Sequence, residues 1–142
     1  MKLTTRMRYG TRIVIELASS YPNRFMPVTE LSRLQGLTIK YIEQILIPLR
    51  TSGIVVSRRG KAGGYQLGRP PTEITLLDIY NELEGDAAIV DCLLSDDGKR
   101  GITVCPICAR KPHCHSRKVW KKLREAIETT LREITVASLL GE

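Results

Sequence analysis

The hydrophobic period changes at Gly53, and that change constrains the fold most. Before it, Ile42, Ile45, Leu46 and Leu49 fall at i, i+3, i+4 and i+7, the apolar face of one helix. After it, Ile54-Val55-Val56 and Tyr65-Gln66-Leu67 suit two short strands. Between the strands, Arg58 through Gly64 form a glycine-rich cationic tip, "RRGKAGG". Thr38 is placed to cap the helix, and Gly36 supplies a turn before it. Upstream, Thr29 is placed to cap a short helix that buries Leu31 and Leu34. Two short helices around a glycine, then a basic hairpin, is the order of a winged helix-turn-helix. Pro48 lies inside the second helix, removes one of its hydrogen bonds and predicts a bend in the last turn. A glycine-rich tip can also cradle nucleotide phosphates, but the Walker pattern leading into a helix is absent.

The flanking segments are mainly helical. Residues 3–20 predict a helix with Ile13, Leu17 and Ala18 on one face, broken by the two prolines of "YPNRFMP". Thr75 and Asp78 form a capping box for a helix through Glu84, with Leu76, Leu77, Ile79, Tyr80 and Leu83 as its apolar residues and Gly85 as its stop. From Ser116 the spacing of Val119, Leu123, Ile127, Leu131 and Ile134 predicts a long helix. Its stripe suits either a partner subunit or the same chain. Residues 86–115 show no firm period and hold every cysteine.

Charge divides the chain. Residues 1–69 carry twelve Lys/Arg against three Asp/Glu, whereas residues 70–142 carry ten against twelve. The excess behind the net charge of +7 therefore belongs to one module, the footprint expected of nucleic-acid binding. No secretory or membrane segment is expected, because the apolar stretch Ile13 to Ala18 is short and contains Glu16. A cytoplasmic location follows. In a reducing compartment, closely spaced cysteines favour metal or redox chemistry over structural disulfides.

The stretch "LSRLQGLTIKYIEQILIPLRTSGIVVSRRGKAGGYQLGRP" resembles the Rrf-two family of bacterial winged-helix regulators, with "YIEQI" and "RRGKAGGYQLG" carrying most of the likeness. That family includes an iron–sulfur-cluster regulator, a nitric-oxide-sensing repressor and a cysteine-metabolism repressor. The resemblance spans the chain and is weakest over 86–115. It implies a fold that is mainly α with a small β-hairpin wing: a winged helix-turn-helix DNA-binding domain over 1–85, a cysteine-rich sensor loop over 86–115, and a dimerisation helix with C-terminal tail over 116–142. It implies a homodimer that sets its two winged helices on the half-sites of a near-palindromic operator in double-stranded DNA, acting as a repressor. No membrane partner is expected.

The reading head can be argued by residue. The helix from Thr38 is expected to enter the major groove N-terminus first, with its free N–H groups and the Thr38 hydroxyl near phosphate. Lys40 and Tyr41 suit backbone contacts. Gln44 can pair with adenine, and Glu43 can accept from cytosine as a selectivity element. Arg58, Arg59 and Lys61 suit the minor groove or its phosphates.

Cys92, Cys105, Cys108 and Cys114 are separated by twelve, two and five residues, and four thiolates can complete a Cys₄ metal site. Arg110, Lys111, Arg117 and Lys118 favour thiolates beside them. In the resemblance, Cys92, Cys108 and Cys114 match the three cysteines of the cluster-binding members, and Cys105 is extra. In the iron–sulfur-cluster regulator the fourth ligand is a histidine three residues after the last cysteine, where this chain has Arg117. Other members use a carboxylate of the partner's first helix, where this chain offers no acid before Glu16. Cys105 is thus the favoured fourth ligand, with His115 or His113 behind it. An iron–sulfur cluster leads, a thiol–disulfide switch without metal is the alternative, and structural zinc is the third. An enzyme is disfavoured: both histidines share one loop with the thiols, no Glu is placed as a base, and a Cys₄ site leaves no open position. A protein-interaction module with a repurposed helix-turn-helix is the remaining different class.

Overall fold

The computed structural model describes residues 3–87, 89–90, 93 and 113–141. Helix α1, Thr5–Ser20, starts where the Thr4 hydroxyl accepts the Met7 N–H. It buries Met7, Gly10, Ile13, Val14, Leu17 and Ala18. Helix α2, Val28–Gln35, starts two residues earlier than a Thr29 cap would place it. Pro27 is its N-cap, and the Pro27 carbonyl accepts the N–H groups of Glu30 and Leu31, both at 3.1 Å. That shift goes with Leu31 and Gln35 facing inward, one turn apart, while Leu34 is left exposed. Gly36 ends the helix at φ 65°, a left-handed conformation that costs glycine least.

Helix α3, Ile39–Thr51, is capped by Thr38 and fully buries Ile42, Ile45, Leu46 and Leu49. Each such side chain contributes on the order of 1.5–3 kcal/mol relative to exposure. The helix runs through Pro48 for one further turn, and the Pro48 carbonyl accepts the Ser52 N–H at 3.0 Å. Strands β1, Val55–Arg58, and β2, Gly64–Leu67, form the antiparallel wing, in register Val55 with Leu67 and Arg58 with Gly64.

A 3₁₀ turn, Pro71–Glu73, leads to helix α4, Leu76–Leu83. Both bonds of its capping box are made: the Asp78 N–H donates to Thr75 Oγ1 at 3.1 Å, and the Thr75 N–H donates to Asp78 Oδ2 at 2.9 Å. Helix α5, His115–Glu133, is long and buries no residue completely. Helix α6, Val136–Leu139, is capped by Thr135. Thr135 pairs antiparallel with Thr75, the Leu76 N–H reaches the Ile134 carbonyl and the Val136 N–H reaches the Ile74 carbonyl, both at 2.8 Å. Val136 thereby joins the core that α1, α3 and α4 share with the base of the wing.

Candidate nucleic-acid interface

The N-terminal end of α3 is held open by its own chemistry. The Thr38 hydroxyl accepts the Tyr41 N–H at 3.3 Å, which fixes the first turn. Because the helix's apolar face is spent on the core, Thr38, Lys40, Glu43 and Gln44 all stand exposed. Among the described residues, the side chains of Lys40, Glu43 and Gln44 make no hydrogen bond or ion pair. Tyr41 differs. It is half-buried, and its ring meets Tyr9 of α1 edge-on, with centroids 6.1 Å apart and planes at 87°. The Arg12 guanidinium lies 5.4 Å from the centre of that same Tyr9 ring. Arg12 thus joins the cationic surface beside Tyr41, a residue that sequence reasoning left out. The signal was legible, since Tyr9 and Arg12 are three apart on one helix. Ile39 and Ile47 are also exposed on α3 and were not anticipated.

The wing's three cations are not alike. Arg59 and Lys61 are exposed, with no hydrogen bond or ion pair among the described residues. Arg58 is exposed too, but Nη2 donates to the Ala62 carbonyl at 3.0 Å and its guanidinium lies 4.3 Å from the centre of the Phe25 ring. Gly64, at φ 146°, runs so close to the α1–α2 loop that an added Cβ would lie 2.3 Å from the Met26 carbonyl oxygen.

This arrangement is a winged helix: a capped, solvent-facing helix followed at once by a cationic hairpin. The sequence matches the family described as "Rrf2: Iron-dependent Transcriptional regulator" over residues 3–142. The chain belongs to the Rrf2 family. It is 33% identical to protein rrf2 of Nitratidesulfovibrio vulgaris, over all of this chain and 89% of that one. The solved structure of CymR, the global cysteine regulator of B. subtilis, superposes with a TM-score of 0.77 at 31% identity, covering 99% of this chain and 97% of that one. The structure of T. potens IscR gives 0.74 at 30%, covering 99% and 87%. CymR and IscR relatives are named as transcriptional regulators, and this Rrf2 protein is a DNA-binding regulator and not an enzyme.

Of the four cysteines of this Rrf2 chain, Cys114 lies among the described residues; Cys92, Cys105 and Cys108 lie outside them. Cys114 is the N-cap of α5, with Sγ 3.1 Å from Ser116 Oγ, and His113 and His115 beside it are exposed. The described residues contain no group of three His, Cys, Asp or Glu able to hold a metal ion. The chemistry of the donor set still fits a thiolate-ligated group. A helix N-terminus with Arg117 and Lys118 on its first turn lowers the energy of a Cys114 thiolate.

The start of the cysteine-rich segment is tied to α5 by Arg124. Its guanidinium donates to the Leu93 carbonyl at 2.6 Å, to Asp86 at 2.8 Å and to Glu128 at 2.7 Å. Partial burial works to lower the Arg124 pKa, but the hydrogen bond to Glu128 and the charge of Asp86 outweigh it and the net shift is upward. Only the Glu128 pair, at i+4 on the same helix, was legible in the sequence; Asp86 and Leu93 lie more than thirty residues away and no motif points to them.

Proposed function

We propose that the protein works as a cytoplasmic homodimeric repressor, with α3 in the major groove and the wing along the minor groove of each half of a near-palindromic operator. The observation that carries this reading is the pairing of an exposed polar face on α3, at Lys40, Glu43 and Gln44, with exposed Arg59 and Lys61, unengaged among the described residues, one hairpin away. Gln44 has the geometry class for adenine and Glu43 for cytosine, while Thr38, Lys40 and Tyr41 position the helix on phosphate. Val119, Trp120 and Leu123, exposed on α5, support a partner subunit on that helix. Among the described residues no helix is long and apolar enough to cross a membrane, which is compatible with this location. Selection of bound fragments from a randomised duplex pool, followed by a mobility-shift titration, tests the reading. A pool that yields no enriched, inverted-repeat sequence overturns it.

The regulatory input falls on Cys92, Cys105, Cys108 and Cys114. These thiolates would hold an iron–sulfur cluster, which when bound supplies an iron- and oxidant-responsive cross-link within the loop. Arg124, bonded to the carbonyl next to Cys92, connects that loop to α5 and so to the spacing of the two reading heads. The alternative is a metal-free disulfide switch, which the likeness to a CymR solved in an oxidized form and the presence of Arg117 in place of a histidine ligand support. Anaerobic purification with iron and sulfide analysis and a visible spectrum separates the two. Colourless protein with titratable thiols selects the disulfide switch, and colourless protein with one zinc per chain rejects both.

A further inference from the structure

We propose that Arg58 and Phe25 form a clip that sets the attitude of the wing, making both positioning residues for DNA recognition and leaving Arg59 and Lys61 to meet the duplex. The inference rests on the DNA-binding reading and assigns the wing a second anchor in the loop between α1 and α2.

The wing contacts that loop at several levels. Near the base of the wing, Gln66 Nε2 donates to the carbonyls of Pro22 and Arg24 at 2.8 and 3.1 Å. One step further, Met26 and Tyr65 exchange two backbone hydrogen bonds of 2.8 Å each, so the loop serves as a short third strand beside β2. The loop is itself braced, since Arg24 and Glu30 make two bonds of 2.8 Å. Beyond Gly64 the backbone pairing ends, and five residues, Arg59 to Gly63, project as the tip. Arg58 spans that gap. One face of its guanidinium lies against Phe25 while Nη2 holds the Ala62 carbonyl from across the hairpin. A guanidinium engaged on a ring face and on a carbonyl is fixed by the protein before any DNA arrives. By contrast, Arg59 and Lys61 have no such engagement among the described residues. A tip held at one angle loses less conformational freedom on entering a groove, which improves affinity without adding a contact.

Charge and position can be separated by salt dependence. Each phosphate neutralised by a cation adds about 0.9 to the slope of log affinity against log salt. Phe25→Leu removes the aromatic half of the clip and no charge. For a clip, Phe25→Leu lowers affinity for a duplex recovered by selection from a randomised pool by about two- to fivefold per wing, the worth of an exposed cation–π contact, with the slope unchanged. Arg58→Ala, which also loses the bond to the Ala62 carbonyl, falls at least as far, and the double variant falls no further than Arg58→Ala, since Phe25 acts through Arg58. Arg59→Ala, the reference, lowers the slope. A second readout needs no DNA: trypsin cleavage after Arg59 and Lys61, followed by mass spectrometry, accelerates in Phe25→Leu if the clip holds the tip. Unchanged cleavage in a folded Phe25→Leu protein, or an Arg58→Ala slope that falls as far as that of Arg59→Ala, overturns the proposal. If the unaltered protein enriches no duplex, the DNA reading fails by itself, and the cleavage rates still judge the clip.

Discussion

A cation raises operator affinity according to the counterions it displaces, so its freedom to reach phosphate matters as much as its charge. Arg59 has that freedom. Arg59→Ala is expected to weaken operator binding and to lower the salt slope by about one unit per wing, measured by titration at several salt concentrations. Gln44 poses a different test. It is exposed on a face that α3 does not use for packing, and an amide that bonds adenine discriminates by about 1–3 kcal/mol. Gln44→Ala should therefore flatten base preference at one position in each half-site, read by binding to a set of single-substitution duplexes, while the salt slope stays as it was. The residues that sequence placed correctly on α3 were those whose exposure follows from period alone: once Ile42, Ile45, Leu46 and Leu49 point inward, Lys40, Glu43 and Gln44 have nowhere else to face. Arg58 shows the limit of that logic. Period and charge class it with Arg59, and its contacts with a distant Phe25 and with the Ala62 carbonyl tell them apart.

Elements were legible where a local signal ended them. The Thr38 cap, the Gly36 turn and the Thr75–Asp78 box each appear as read, because capping is decided within four residues. The start of α2 was misplaced because Thr29 is the cap that side-chain chemistry suggests, whereas the helix begins after Pro27, which caps it with no side-chain hydrogen bond and goes with the inward packing of Leu31 and Gln35. The C-terminal strap was the largest omission. Residues 134–136 pair with Ile74–Leu76 across the top of α4, and α6 inserts Val136 into the core. A pairing between segments sixty residues apart leaves no period in either. Its consequence is that α6 helps hold together the core under α3 and the wing. Val136→Ala should destabilise the fold by about 2 kcal/mol, from lost burial and the void left behind, measured by urea denaturation. Leu139→Ala, one turn on and 42% exposed, should stay within about 0.5 kcal/mol of the parent. Equal effects would mean that α6 is not a structural part of the domain.

At the scale of the molecule, α5 is the element whose chemistry the protomer leaves incomplete. It has nineteen residues, none fully buried, and its N-terminal half presents Val119, Trp120 and Leu123 at 60%, 38% and 44% exposure. Its C-terminal half is tied down: Leu131 packs against the core, and Arg124 joins Asp86, Glu128 and the Leu93 carbonyl. One end is therefore anchored to the core and the other presents an exposed apolar stripe among cations, which suits the proposed seam between two protomers that also carries the loop's state. The two roles separate by mutation. Arg124→Met cuts the tie to Leu93 while keeping the helix, so dimers should persist while operator affinity stops responding to oxidation of the thiols. Leu123→Glu acts on the proposed seam itself. The side chain is half-exposed in the protomer, so a charge there costs the folded monomer little, yet it would be desolvated without a partner in a dimer. Light scattering should find monomers with an unchanged far-ultraviolet spectrum. Operator affinity should fall by about 10² to 10⁴, because the second half-site is no longer delivered at high local concentration by the first. Affinity for a single half-site should not change. A Leu123→Glu protein that remains dimeric and binds the full operator normally would place the protomer contact elsewhere and detach α5 from the spacing of the reading heads.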